Sequence, residues 1–267
     1  MIRAHFGLAK DPFSITDLTL LPHQREVLDI LCVHCQQGGL CVIVGEPGTG
    51  KSVIKHALCQ HDPKRIMTPV VNRTLHTYHS TLRILCEAFQ IDADGVDFRC
   101  ERRLIEEARR LNAAGKMLAP IIDDAHLMEV SALRRLRLLF EDFPKNHCLV
   151  LVAQPELLSR LALTVNEDLK NRVTYSVLLQ KLAPDTLTDF IRGELDKVAL
   201  AHSTFTDDAL ALIVRSAEGG LRRAKNLCLS ALLETVRDRT KVVDLKQVNR
   251  VLLQPHWRTS GEVDSPP

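Results

Sequence analysis

The chain has 267 residues, enough for one large domain or for a core of about 170 residues with a smaller second domain. Hydrophobic residues at 45% and charged residues at 25% are ordinary globular values, whereas aromatics at 4% argue against a protein that reads bases mainly by stacking. A formal net charge of +2 is too small for the whole-molecule field to gather nucleic acid, so any such contact needs a local basic surface.

Arg3, His5, Lys10 and Asp11 interrupt any apolar leader, and no stretch approaches ~20 consecutive apolar residues. The expectation is a cytoplasmic protein with no membrane partner. Cys32-Val33-His34-Cys35 has the C-x-x-C spacing of a zinc or redox pair, but it falls in an expected helix and lacks a second ligand pair. It reads as core, as do the other cysteines of the eight, which suit a reduced compartment.

The apolar run Leu40-Cys41-Val42-Ile43-Val44 reads as a buried strand, and Gly45-Glu46-Pro47-Gly48-Thr49-Gly50-Lys51-Ser52 follows it directly. Backbone N–H groups in such a glycine-rich turn converge on an anion, and the positive end of the next helix reinforces them. Lys51 is placed for the β- and γ-phosphates of ATP, and the Ser52 hydroxyl for Mg²⁺. Strand, loop and helix stand in the order that this chemistry requires.

Helix and strand then alternate: a helix over 52–60, a strand over 66–71, helices over 80–89 and 98–114, a strand over 117–122, a helix over 131–140 and a strand over 149–152. Alternation of this kind predicts a parallel sheet covered on both faces. On the helix over 98–114, Leu104, Ala108 and Leu111 share one face while Arg99, Arg102, Arg103, Arg109 and Arg110 spread over the other. Arg134 and Arg137 share a side of the helix over 131–140. Such faces can track duplex phosphates; the alternative is a solvated surface balanced by Glu106, Glu107 and Glu141.

Asp123 ends the strand over 117–122, where a carboxylate can support Mg²⁺; the alternative is a cap on the following helix. Asp124 stands where a general base would orient the attacking water. It is one methylene shorter than the Glu that many such ATPases carry, which predicts slow hydrolysis. Gln154 follows the strand over 149–152 and either senses the γ-phosphate or is an ordinary strand-end amide. Arg172 precedes a possible strand over 174–177 and is a candidate finger for a neighbouring subunit's nucleotide, or a surface salt bridge.

Beyond about residue 181 strand signals stop. Helices are expected over 184–199, over 207–217 with Thr206 as N-cap, over 222–237, and over 245–252 with Asp244 and Gln247 as a capping box. The expected fold is therefore α/β: a three-layer αβα sandwich with a central parallel sheet, followed by a small all-helical lid. The expected divisions are an N-terminal segment over 1–38, the nucleotide-binding core over 39–180, the lid over 181–253 and a disordered tail over 254–267.

These residues resemble the P-loop AAA+ ATPases of the ExeA (general secretion pathway A) type and their relatives, the transposition regulators TnsC, TniB and MuB. Phe6-Gly7-Leu8 with Asp11-Pro12-Phe13 is similar to the N-terminal signature, Asp123-Asp124-Ala125-His126 to the D-E-A-H strand end, and Ala153-Gln154-Pro155-Glu156-Leu157 to G-Q-P-E-L. Residues 169–173 resemble the L-x-x-R-hydrophobic box, and Gly219-Gly220-Leu221-Arg222-Arg223 with Asn226 and Leu227 the lid motif G-x-P-R-x-x-N-x-L. The resemblance implies ATP and Mg²⁺ as cofactors, Gln154 as first sensor, Arg172 as finger and Arg223 as second sensor. Arg222 where the family often has Pro leaves the register of the lid arginine open between 222 and 223. Secretion-type members continue into a membrane span and a peptidoglycan-binding region; the sequence as given stops after the lid, which favours the transposition class. For that class the resemblance implies homo-oligomeric rings or filaments on duplex DNA, with a transposase and a target-selector protein as partners.

Overall fold

The computed structural model describes residues 1–13, 19–72 and 77–257. Of the tail expected over 254–267, only 254–257 fall among them, and Pro255–Trp257 form a short 3-10 turn. Two compact units are present. One comprises Leu18–Glu46 and Gly50–Leu179, the other Met1–Asp17, Pro47–Thr49 and Gln180–Pro267.

The first unit is built on seven strands: β1 (Gly39–Gly45), β2 (Ile66–Met67), β3 (Val70–Val71), β4 (Met117–Leu118), β5 (Ile121–Ile122), β6 (Cys148–Ala153) and β7 (Val173–Leu179). Five form one parallel sheet in the order β3-β5-β6-β1-β7, and β2 pairs with β4 in parallel. Two expected strands are thus each interrupted, and proline is the cause. Pro69 and Pro120 have no N–H to give a ladder. Their carbonyls still accept, from Ile121 N–H at 2.8 Å and from Val150 N–H at 2.9 Å, so the strand direction survives each break.

Alternation along the strands creates two cores. Leu40, Val42 and Val44 face Leu82, Leu104, Leu133 and Leu136, which come from helices Tyr78–Ala88, Asp97–Ala113 and Val130–Glu141. Cys41 and Ile43 face Leu28, Leu31, Ile54 and Leu58 of helices Pro22–Gln37 and Lys51–His61. This is the expected three-layer sandwich. Each fully buried Leu or Ile contributes roughly 2 kcal/mol of transfer free energy. The eight cysteines are free, six of them buried, and among them Cys35, Cys41 and Cys148 belong to the second core. A hydrogen bond with Cys35 is the main cause that pushes the Cys148 thiol well above its ordinary range. It is a packed thiol, as expected.

The second unit is helical: Pro184–Asp196, Asp207–Ala217, Leu221–Asp238 and Leu245–Leu252. The expected caps are present, since Thr206 accepts from Ala209 N–H at 3.3 Å and Gln247 accepts from Asp244 N–H at 3.0 Å. The N-terminal signature belongs to this unit, a placement the sequence does not announce. His5 Nε2 lies 2.6 Å from the Thr240 carbonyl, Lys241 stacks over the Phe6 ring, and Phe13 is buried in a left-handed conformation at φ 60°.

Candidate active site

The strand order brings the functional residues to one edge. β1 has β6 on one side and β7 on the other, so the connections reverse direction at β1, the position where open parallel sheets bind ligands at their carboxyl ends. Gly45 ends β1, Asp123 follows β5, Gln154 follows β6 and Asn72 follows β3.

Gly48 (φ 86°) and Gly50 (φ 102°) both take the left-handed backbone that lets consecutive N–H groups turn to one side. Helix Lys51–His61 starts at once, with Val53 and Ile54 N–H bonded to the Gly50 carbonyl. Lys51 curls back over the loop: its Nζ donates to the Gly45 carbonyl at 2.5 Å and to the Glu46 carbonyl at 2.9 Å. Pro47–Thr49 belong to the helical unit, where Leu221 N–H donates to the Gly48 carbonyl at 3.0 Å. A Cβ on Gly48 would lie 3.3 Å from the Arg222 Cβ. Arg222 therefore lies against Gly48 through its own Cβ, while the Arg223 guanidinium lies over Trp257 and 3.5 Å from Glu218.

Asp123 is held on both carboxylate oxygens. Oδ1 accepts from Asp124 N–H at 3.0 Å, and Oδ2 lies 2.5 Å from Lys55 Nζ, with both side chains of this pair 19% exposed. Lys55 also donates to Asn72 Oδ1 at 3.0 Å. Asp124 is exposed and left-handed (φ 50°, ψ 35°), a conformation that a short acidic side chain tolerates better than a longer one. Behind it, Arg160 donates to the carbonyls of His126 at 2.6 Å and Met128 at 2.7 Å, which ties down the segment after Asp124. Lys55, Asn72 and Arg160 were not evident in the sequence. The one available signal was that Lys55 lies four residues after Lys51 and so shares its helix face.

Gln154 is half-buried at the strand end, and its carbonyl starts the next helix by accepting from Leu157 N–H. Arg172 lies elsewhere. It precedes β7, whose Val173 pairs with Leu40 near the start of β1, so it sits toward the amino edge of the sheet, away from the loop. It is 62% exposed and lies 3.5 Å from Glu141.

The arginines considered for DNA divide into two groups. Arg99 and Arg102 are exposed, Arg102 with Glu106 at 3.6 Å, and Arg103 bonds the Asp92 carbonyl at 2.8 Å. Arg134 is fixed by Asp168 at 3.0 Å and by Asn166 and Val165. Arg137 is 17% exposed and bonds Glu141 at 2.7 Å. The last two serve contacts within the chain.

The loop and strand ends fit a nucleotide triphosphate with a hard divalent cation. The left-handed glycines form the anion cradle, Lys51 stands over it, Ser52 is exposed at the first turn, and Asp123 supplies a carboxylate oxygen. The Lys55 ammonium against Asp123 is itself a cation at that carboxylate. Among the described residues no group of three or more His, Cys, Asp or Glu is arranged to hold a metal.

Residues 33–161 match the family described as AAA domain. Over 244 residues the chain is 30% identical to general secretion pathway protein A of Aeromonas hydrophila; the match takes in 87% of this chain and 44% of that protein, so the chain spans less than half of that relative's length. Among solved structures, Cdc6p from Pyrobaculum aerophilum superposes with a TM-score of 0.72 at 17% identity, covering 88% of this chain and 68% of that one. The ORC1 protein of Aeropyrum pernix in complex with DNA gives 0.70 at 17% identity, covering 88% and 66%. At such identities these two likenesses concern the fold. No helix among the described residues is long and apolar enough to cross a membrane. With the phosphate loop, the strand order and these matches together, the chain belongs to the AAA+ P-loop ATPases of the ExeA (general secretion pathway A) type.

Proposed function

We propose that the protein is an ATP-dependent, DNA-binding ATPase whose subunits assemble on duplex DNA and regulate a transposase, with slow hydrolysis driving disassembly. Bound ATP supplies the phosphoanhydride bond to be cleaved, and Mg²⁺ neutralises its phosphate charge. Lys51 and the loop N–H groups hold the phosphates, while Ser52 and Asp123 hold the cation. Asp124 accepts a proton from the attacking water, with Gln154 orienting that water. Arg223 is the lid arginine of this scheme.

The single observation that carries the proposal is the position of Arg172: exposed, near the amino edge of the sheet, and remote from the loop of its own chain. An arginine there serves hydrolysis only in a neighbour, which makes the site complete at a heterologous subunit contact and couples nucleotide to assembly. Duplex DNA as the scaffold is supported by the likeness to ORC1 in complex with DNA. The DNA contacts fall to Arg99, Arg102 and Arg103 rather than to Arg134 and Arg137, which Asp168 and Glu141 hold. The identity with general secretion pathway protein A favours a second reading, an ATPase that assembles a secretion apparatus on a membrane- or peptidoglycan-linked partner.

Electron microscopy with duplex DNA and a non-hydrolysable ATP analogue tests the proposal. Rings or filaments that need both components are expected, and a target-selector protein or transposase then co-sediments with them. Isolated particles under every condition remove the proposal, and assembly that ignores DNA but requires peptidoglycan transfers support to the second reading.

A further inference from the structure

Lys55 has no part in the scheme above, yet it makes the shortest contact to Asp123. Lys51 and Lys55 lie four residues apart on one face of the same helix, so their backbone positions stand about 6 Å apart along the axis. Lys55 spans two adjacent strand ends: Asp123 after β5 at 2.5 Å and Asn72 after β3 at 3.0 Å. A carboxylate that is only 19% exposed is costly without a counter-charge. Its other oxygen is already occupied by the Asp124 N–H.

We propose that Lys55 is a built-in counter-ion that occupies the cation position at Asp123 before a divalent ion binds, and that withdraws onto Asn72 when the ion arrives. This role presupposes the ATP site proposed above. Asn72 offers a neutral oxygen that can keep Lys55 after Asp123 has gone to the metal, so the lysine has two stations within one side-chain movement. Two consequences follow from the charge. While Lys55 neutralises Asp123, metal-free nucleotide meets less repulsion at the loop. A divalent cation, in turn, must displace an ammonium to reach the carboxylate. Both effects reduce the gain in nucleotide affinity that Mg²⁺ confers.

The quantity to measure is the dissociation constant of a fluorescent ADP analogue in EDTA divided by its value in saturating Mg²⁺, read by anisotropy without turnover. Lys55→Gln is expected to raise this ratio about tenfold, and to lower the Mn²⁺ concentration that half-saturates the ADP-bound protein in an electron paramagnetic resonance titration. Lys55→Arg keeps the charge and should keep the wild-type ratio. Equal ratios in wild type and a folded Lys55→Gln protein overturn the proposal while leaving the ATP site intact. Wild-type protein that binds no nucleotide, indistinguishable from Lys51→Ala, overturns both. Should Lys55→Gln not fold, reductive methylation of wild type read by peptide mass spectrometry still decides: Lys55 should be protected in EDTA and become reactive with Mg²⁺ and ADP, and equal reactivity in the two states overturns the two-station role.

Discussion

Replacement of Arg172 by Ala separates action in the same chain from action across a subunit contact. Val173 is level with Leu40, five residues before the end of β1 at Gly45, which at ~3.3 Å per residue puts Arg172 about 17 Å or more from the phosphate loop. An extended arginine side chain covers less than half of that distance. Arg172→Ala should therefore leave nucleotide affinity of the isolated subunit unchanged and lower hydrolysis in the assembled state by about 10³-fold, the low end for a lost finger. The released pair with Glu141 matters little, because a surface contact at 3.5 Å is worth under ~1 kcal/mol. The decisive assay is a mixture. Arg172→Ala subunits keep a complete loop, and Lys51→Ala subunits keep the finger. In a random equimolar assembly about one quarter of the contacts pair a good loop with a good finger. Phosphate release should rise to roughly that fraction of the wild-type rate although each variant alone is inactive. A mixture no more active than its components refutes the trans assignment, and so does an Arg172→Ala monomer with weakened nucleotide binding.

Asp124→Glu extends the carboxylate by one methylene toward the water; steady-state phosphate release should rise by about tenfold or more, and a variant no faster than wild type ends the idea of a slow timer. Mg²⁺ and ATP at about 100 times the dissociation constant should stabilise the protein by ~2.7 kcal/mol in thermal melts. Lys51→Ala should lose that shift, and retaining it would place the nucleotide elsewhere. Gly219→Ala should destabilise the helical unit by about 2–4 kcal/mol, because φ there is +75° and a Cβ would lie 2.5 Å from the Leu182 carbonyl oxygen. Urea denaturation followed by circular dichroism measures this, and an unchanged midpoint would show that the backbone adapts.

What the sequence disclosed was local. The strand, glycine loop and helix over 40–52 are contiguous, so spacing alone defined them. Thr206 and Asp244 act within three residues of themselves, and both caps were legible for that reason. The Lys55–Asp123 pair was hidden because it closes over 68 residues and depends on which strands are neighbours. The helical wheel showed which face Arg134 and Arg137 occupy but not that Asp168, 34 residues on, waits for Arg134. Apolar runs over 66–71 and 117–122 were read as whole strands; the missing N–H of Pro69 and Pro120 divides each. That the N-terminal signature and Pro47–Thr49 belong with 180–267 follows from tertiary contacts that no local pattern encodes.

The place of β1 between β6 and β7 also has a consequence for biosynthesis. Its partners near Leu149 and Val173 leave the ribosome more than a hundred residues after Leu40 does. At roughly 5–20 residues per second that delay is about 5 to 25 seconds, during which this apolar strand has no sheet to join. Such long-range pairing makes folding slow and leaves the nascent strand exposed to aggregation. The phosphate loop is thus synthesised early and shaped late, and protein released before residue 179 should bind chaperone rather than nucleotide.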